Sequence, residues 1–185
     1  MNMDILIAGV GGQGTLLASR VLGKYAGLVG LDVKLSEVHG MAQRGGSVIT
    51  FVRMGQKVNS PIIDFGGADV VLAFEKLEAL RYAHYLKTDG KTVYSTQEIM
   101  PMPVVTGAAE YPQDIESRLK NPVKIDAMKY ALLAGNAKAA NSVMIGFLTK
   151  VVGFDHDAMK QALSESVPQK LLEMNQNAFE LGYRA

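Results

Sequence analysis

The chain of 185 residues has no cysteine. Disulfides, thiolate zinc sites and cysteine-held iron–sulfur clusters are therefore excluded within it, and any redox metal it serves belongs to a partner. Charge of one sign is lacking too. Nineteen Lys and Arg stand against 18 Asp and Glu, a net charge of +1, which argues for neither a nucleic-acid nor an acidic-membrane partner. No apolar run is long enough to span a bilayer. The opening MNMDILIAGVGG places an acid before a short apolar stretch that runs into glycines, unlike a secretory signal. The expected location is the cytoplasm. HExxH and GxSxG are absent, which removes two common hydrolytic chemistries.

What is present is apolar and alternating. At 48% hydrophobic residues, the length suits one domain over 1–185 with a real core. "DILIAG" (4–9) is a short apolar run bounded by glycine, as a parallel strand covered on both faces should be. From Thr15, Leu16, Leu17, Val21, Leu22 and Tyr25 recur at helical spacing up to Gly27 or Gly30. "DVKLSEV" (32–38) predicts a second strand, followed by the glycine-rich loop "HGMAQRGG" (39–46). "SVITFVRM" (47–54) and "KVNSPI" (57–62) read as a hairpin whose second arm is broken by Pro61. "ADVVLAF" (68–74) is the strongest buried-strand signal, and a helix over 75–86 leads through a turn at Asp89-Gly90 to the strand "KTVYS" (91–95).

Four of the six prolines fall within 96–122, which predicts a loop-rich segment with a short strand near "PVVTG" and a short helix near "DIESRL". Residues 123–154 resume with a strand and two helices parted at Gly135-Asn136. Asp155 is placed to N-cap the next helix, and Pro168 to open a last one that closes at Gly182. Alternating strands and helices predict an α/β fold: a Rossmann-like, doubly wound, mostly parallel sheet with helices on both faces. Its binding crevice should lie at the carboxyl ends of the strands.

Gly9, Gly11, Gly12 and Gly14 crowd into six positions, and Gly9, Gly11 and Gly14 match G-x-G-x-x-G between a strand and a helix. Glycine there permits positive φ, close approach of a ligand and tight packing of helix on strand. The unpaired N–H groups of the first helical turn, at about Gly14 to Leu17, then face the crevice with the positive end of the helix dipole behind them. That is a site for phosphate. Glu37, 23 residues after Gly14, suits an adenosine ribose, whereas Arg44 suits an additional phosphate. The pattern leaves coenzyme A, NADP and NAD open, and with them a free-standing NAD(P)-binding or regulatory module.

"GVGGQGTLLASRVLG", "SEVHGMAQRGGSVITFVRMG", "ADVVLAFEKLEALR" and "GNAKAANSVMIGFLTK", in that order and spacing, resemble the gamma-type module of the 2-oxoacid:ferredoxin oxidoreductases. They have most in common with the indolepyruvate branch. The resemblance implies an accessory subunit of an enzyme that oxidatively decarboxylates an aryl 2-oxoacid, passes electrons to ferredoxin and the acyl group to coenzyme A. It implies a larger partner subunit carrying thiamine diphosphate, Mg and iron–sulfur clusters, and no activity of this chain alone. It places Gly11, Gly12, Gly14 and Thr15, with Gly9 and Gln13 in the same turn, on the coenzyme's phosphates, and adds charge from Arg44. The absence of a GDG motif, which magnesium-bound thiamine diphosphate requires, agrees with this division.

No catalytic or metal-binding residue is assigned. His39 ends the second strand beside the glycine loop, where a hydrogen-bonded structural role is a simpler reading than a proton donor. Glu75 and Glu78 resemble an acid/base pair but fall in the first turn of a helix, where carboxylates favour the dipole. His84 and His156 have no ligand partners nearby in the pattern. Met41 suits a partner-facing surface, and Asn136 and Asn141 suit caps or interface contacts.

Overall fold

Ile5, Leu6, Ile7 and Ala8 of strand β1 (Met3–Val10) are all fully buried, Ile5 and Ile7 in one apolar cluster, Leu6 and Ala8 in another. Successive side chains of a strand point to opposite faces, so this unbroken run demands cover on both sides. The computed structural model, which describes residues 2–39 and 45–185, provides it. β1 lies in a six-stranded sheet with β2 (Asp32–His39), β3 (Ser47–Gly55), β4 (Ala68–Ala73), β5 (Leu86–Ser95) and β6 (Pro122–Ile125), in the order β2-β3-β1-β4-β5-β6. β1, β4, β5 and β6 pair in parallel, while β3 runs antiparallel to both β1 and β2. The sheet is mostly parallel, with one inverted strand.

The helices are α1 (Thr15–Leu28), α2 (Lys76–Arg81), α3 (Met102–Val105), α4 (Ile115–Arg118), α5 (Ala127–Leu133), α6 (Ala140–Val152), α7 (His156–Ser164) and α8 (Leu172–Arg184). α1 and α5 to α8 cover the face of Ile5 and Ile7, with Leu22, Ala131, Met144, Leu163 and Phe179 in that cluster. α2 and α4 cover the opposite face through Ala79 and Ile115. The doubly wound α/β expectation is met.

Several local expectations are not. Residues 57–62 form no strand, and β3 takes β2 as its hairpin partner over the full register from Asp32↔Gly55 to His39↔Val48. Eight paired residues outcompete an arm interrupted by Pro61. The Arg53 guanidinium also gathers the carbonyls of Ser60 (3.3 Å) and Ile62 (2.9 Å) and folds that segment back. "PVVTG" is the exposed helical turn α3, closed by the Thr106 hydroxyl on the Met102 carbonyl (3.0 Å). The helix after β4 is cut short at Arg81 and followed by a 3₁₀ turn (Ala83–Tyr85), so Leu86 already belongs to β5. Asp89-Gly90 lies inside β5, where the pairing with β4 shifts between Ala68 and Val70. Asp155 does cap α7, accepting from Ala158 N at 2.7 Å, and Pro168 opens a 3₁₀ turn that leads into α8.

Gly182 does not close the last helix. It sits within α8 against α6, where an added Cβ would overlap the Val143 carbonyl oxygen; one at Gly146 of α6 would overlap that of Phe179. Two bare positions let the helices meet backbone to backbone, next to a buried Ser142–Asn175 hydrogen bond of 2.6 Å. Because α6 is buried from Asn141 to Thr149, this contact fixes how deep α6 sits over the sheet.

Glu75, 1% exposed, caps α2: its Oε2 accepts from Glu78 N (2.9 Å), and Oε1 accepts from Ile99 N (3.0 Å) and the Tyr111 hydroxyl (3.4 Å). Burial raises its pKa above the ordinary 4.5, against the opposing pull of those backbone donors.

Gly182→Ala and Gly146→Ala should each lose at least about 2 kcal/mol of stability in urea denaturation. Gly27→Ala, which enters open space on α1, should instead gain about 0.5–1 kcal/mol. Glu75 holds its proton more tightly folded than unfolded, so its contribution to stability is greatest below pH 4.5 and falls as pH rises through its native pKa. The stability gap between wild type and Glu75→Gln should therefore be smaller at about pH 7 than at about pH 4.5 in matched urea titrations.

Candidate functional site

The chain turns at residues 11–14, between β1 and α1, at the carboxyl end of the sheet. α1 covers one face after β1 and α2 the other after β4, so the strands part here and open a crevice. Gly11 is clamped on both sides: its N–H donates to the Gly46 carbonyl (2.8 Å), and its carbonyl accepts from Gly45 N (3.2 Å). Gln13 N donates to the Val10 carbonyl (3.0 Å), and Leu17 N to that of Gly14 (2.9 Å). Leu17 is thus spent, contrary to expectation. Among the described residues no backbone acceptor meets the N–H of Gly12, Gly14, Thr15 or Leu16. Gly12 (φ 105°) and Gly14 (φ 77°) occupy left-handed backbone, and α1 has neither a side-chain cap nor an acid in its first turn. Among the described residues nothing caps the positive end of this 14-residue helix.

The remaining turn residues divide by role. Gly9 makes room for packing: a Cβ there would stand 2.8 Å from the Thr15 methyl and 3.1 Å from Gln13 Oε1. Gln13 spends its whole carboxamide on the protein. Oε1 accepts from Val10 N (2.8 Å), and Nε2 donates to the Phe74 carbonyl and to Gln97 Oε1, both at 3.0 Å. It ties the ends of β1 and β4 to the segment after β5. Thr15 is buried and borders the turn.

Two hollows flank the glycines. One of about 440 Å³ is lined by Gly12, Gly14, Gln97, Lys138, Asn141 and Met144 among others, and one of about 330 Å³ by Gly11, Thr15, Leu16, Glu37 and Val48. Asn141 lies in the first turn of α6 and is 8% exposed, yet its Oδ1 has no hydrogen-bond partner, and among the described residues its amide nitrogen has none either. A Cβ on Gly14 would collide with that amide. Lys138, an exposed residue, also lines the larger hollow. Neither residue was assigned to the site from sequence, although "GNAKAAN" was singled out as a motif. The break at Gly135-Asn136 was its visible signal, and Asn136 does act as a cap, accepting from Lys138 N at 2.9 Å.

β3 intervenes between β1 and β2, so Glu37 sits on the sheet's edge opposite Thr50, one strand further out than the acid of a dinucleotide fold. It still borders the smaller hollow. Met41 and Arg44 lie outside the described residues; His39 pairs through its backbone with Val48. Glu75 and Glu78 are both buried and bonded within the protein, as structural carboxylates rather than an acid/base pair facing the crevice. His84 packs on Phe65 and Tyr85, and His156 lies between Asp157 and Glu180, away from these hollows. Among the described residues no three His, Asp or Glu gather as metal ligands would, and no helix is long and apolar enough to cross a membrane.

The chain is 42% identical to the indolepyruvate oxidoreductase subunit IorB of Pyrococcus horikoshii, over 98% of this chain and 95% of that protein. In structure it matches the pyruvate oxidoreductase subunit PORC of Thermotoga maritima with a TM-score of 0.76 at 22% identity, over 99% and 96% of the two chains. It also matches a 2-oxoglutarate:ferredoxin oxidoreductase of Magnetococcus marinus, solved with 2-oxoglutarate, coenzyme A and succinyl-CoA bound. There the TM-score is 0.76 at 20% identity, over 99% of this chain and 30% of that one. A family model described as pyruvate ferredoxin/flavodoxin oxidoreductase spans residues 4–185, and with the glycine turn, the clamped loop and the sheet that carries them, the chain belongs to that family.

Proposed function

We propose that this chain, a small subunit of a 2-oxoacid:ferredoxin oxidoreductase of the indolepyruvate type, forms the coenzyme A side of the shared site. The observation that carries the proposal is the set of main-chain donors at Gly12, Gly14, Thr15 and Leu16, unpaired among the described residues, in a turn that borders two hollows, the larger of which also holds Lys138 and Asn141, whose Oδ1 has no partner. Donors fixed by the fold and backed by a helix dipole suit phosphate oxygens. Lys138 adds a full positive charge. The Asn141 carboxamide offers both a donor and an acceptor, and coenzyme A carries both kinds of group along its length. An orphaned buried amide costs about 1–3 kcal/mol, a penalty that a bound ligand relieves.

Bound there, coenzyme A supplies the thiol that receives the acyl group. The residues of this chain bind and orient: Gly12 and Gly14 let phosphate reach the backbone, Gln13 holds the turn against β4, and Asn141 fills the space a Gly14 side chain would need. The decarboxylating and electron-carrying groups, thiamine diphosphate with Mg and iron–sulfur clusters, are assigned to the larger partner subunit, since a chain without cysteine has no thiolates to hold a cluster. Names of the relatives support this reading: IorB is a subunit of indolepyruvate oxidoreductase, and the Magnetococcus marinus enzyme binds coenzyme A.

In the assembled complex, Gly12→Leu and Asn141→Ala should each raise the KM for coenzyme A by about tenfold or more in 2-oxoacid-dependent ferredoxin reduction, leaving the KM for the 2-oxoacid within about twofold. Titration of the complex with coenzyme A and with NAD separates this from a dinucleotide module. Heat with NAD alone, abolished by Glu37→Ala, would establish the rival.

A further inference from the structure

The buried carboxylate of Glu78 has no place in the binding proposed above, yet it is 3% exposed and fully bonded. Its Oε2 accepts a hydrogen bond from the Ser47 hydroxyl, and its Oε1 accepts from Arg81 Nε at 3.0 Å. The Ser47 oxygen also lies 2.8 Å from the Tyr82 hydroxyl. Ser47 is the first residue of β3 and pairs with Val10, the last of β1. The two residues before it, Gly45 and Gly46, hold Gly11 through its carbonyl and its N–H. A side chain on α2 therefore fixes the very point from which the clamp on Gly11 extends. On the other side of the crevice the same helical turn does the equivalent through Glu75, whose carboxylate takes the N–H of Ile99 just beyond Gln97.

We propose that Glu78 and Ser47 are positioning residues for the phosphate cradle: they hold Gly45 and Gly46 in the register that clamps Gly11 and so aims the free N–H groups of Gly12 and Gly14 into the crevice. This rests on the coenzyme A reading for its effect on kinetics but not for its effect on the loop. A carboxylate bound only for helix stability would have no reason to reach across to β3. Hydrogen bonds to a buried carboxylate are among the stronger ones, so the anchor is stiff. Donors that are already oriented bind an anion without first giving up loop entropy.

Ser47→Ala removes the hydroxyl and Ser47→Thr keeps it. In the assembled complex, Ser47→Ala should raise the KM for coenzyme A by about five- to tenfold, with kcat at saturating coenzyme and the KM for the 2-oxoacid within about twofold. Ser47→Thr should restore it. In the full-length chain by itself, Ser47→Ala should speed amide hydrogen exchange at Gly11 and Gln13 while leaving α8 unchanged. Glu78→Gln, which retains an acceptor for Ser47, should exchange more slowly at Gly11 than Glu78→Leu, which does not. Unchanged exchange at Gly11 in Ser47→Ala, or equal losses in kcat and in both KM values, would overturn the anchor. Should the wild-type complex turn over without coenzyme A, the functional reading fails instead, and exchange at Gly11 alone decides the anchor.

Discussion

Everything at the crevice follows from the pairing of Gly11 with Gly45 and Gly46. The β1–β3 ladder reaches Val10↔Ser47 and, instead of ending, continues one step into the turn. That step commits both backbone groups of Gly11 to the protein. It also leaves the chain only Gly12 to Gly14 in which to change from strand to helix, and two of those three must adopt positive φ. Within that turn only Gln13 finds a backbone acceptor among the described residues, the Val10 carbonyl. Among the described residues the N–H groups of Gly12, Gly14, Thr15 and Leu16 meet no backbone acceptor, and donors of this kind suit water or an anion.

The inverted strand makes this possible. In a parallel neighbour of β1 the chain would arrive at the opposite end of the sheet, far from the glycine turn. Because β3 is antiparallel, it begins beside the end of β1, and the segment that precedes it lies next to the turn. The same inversion moves β2 to the edge, so that Glu37 faces the smaller hollow from across β3. One topological choice thus favours the proposed phosphate cradle and weakens the ribose contact a dinucleotide would need.

Where the cues are local, the fold can be read from the residues alone. β1, α1 and β4 are continuous apolar or periodic segments bounded by glycine, and Asp155 is a cap that needs no tertiary context. The hairpin is not legible locally because the choice between 32–39 and 57–62 as partner of β3 is a contest between two ladders, won by the eight paired residues of β2 over an arm broken by Pro61, which Arg53 then holds folded back. Gly182 looked like a helix end because glycine has two uses; only the approach of α6 distinguishes a close contact from a cap. Of the site, the glycines were evident from their position after a strand. Asn141 was not, since its distinguishing property is a partner it lacks, and that is visible only when its neighbours are in place.

Two buried glutamates near the proposed phosphate site would by themselves repel an anion, and the arrangement of their partners resolves this. Glu75 is saturated by the N–H groups of Glu78 and Ile99, and Glu78 by Ser47 and the Arg81 guanidinium. Each carboxylate is thereby surrounded by donors that offset its field, and one of those donors is a cation. The polar lining of the larger hollow is of the other kind and includes the glycine backbone, the carboxamides of Gln97 and Asn141 and Lys138, while Glu37 borders the smaller one. The carboxylates of Glu75 and Glu78 lie beneath the surface and hold loops in place, and Lys138 is left exposed on the larger hollow where an anion can reach it. An acid/base role for the glutamates would require the reverse, a carboxylate with a free oxygen turned toward the ligand, and neither residue has one to spare.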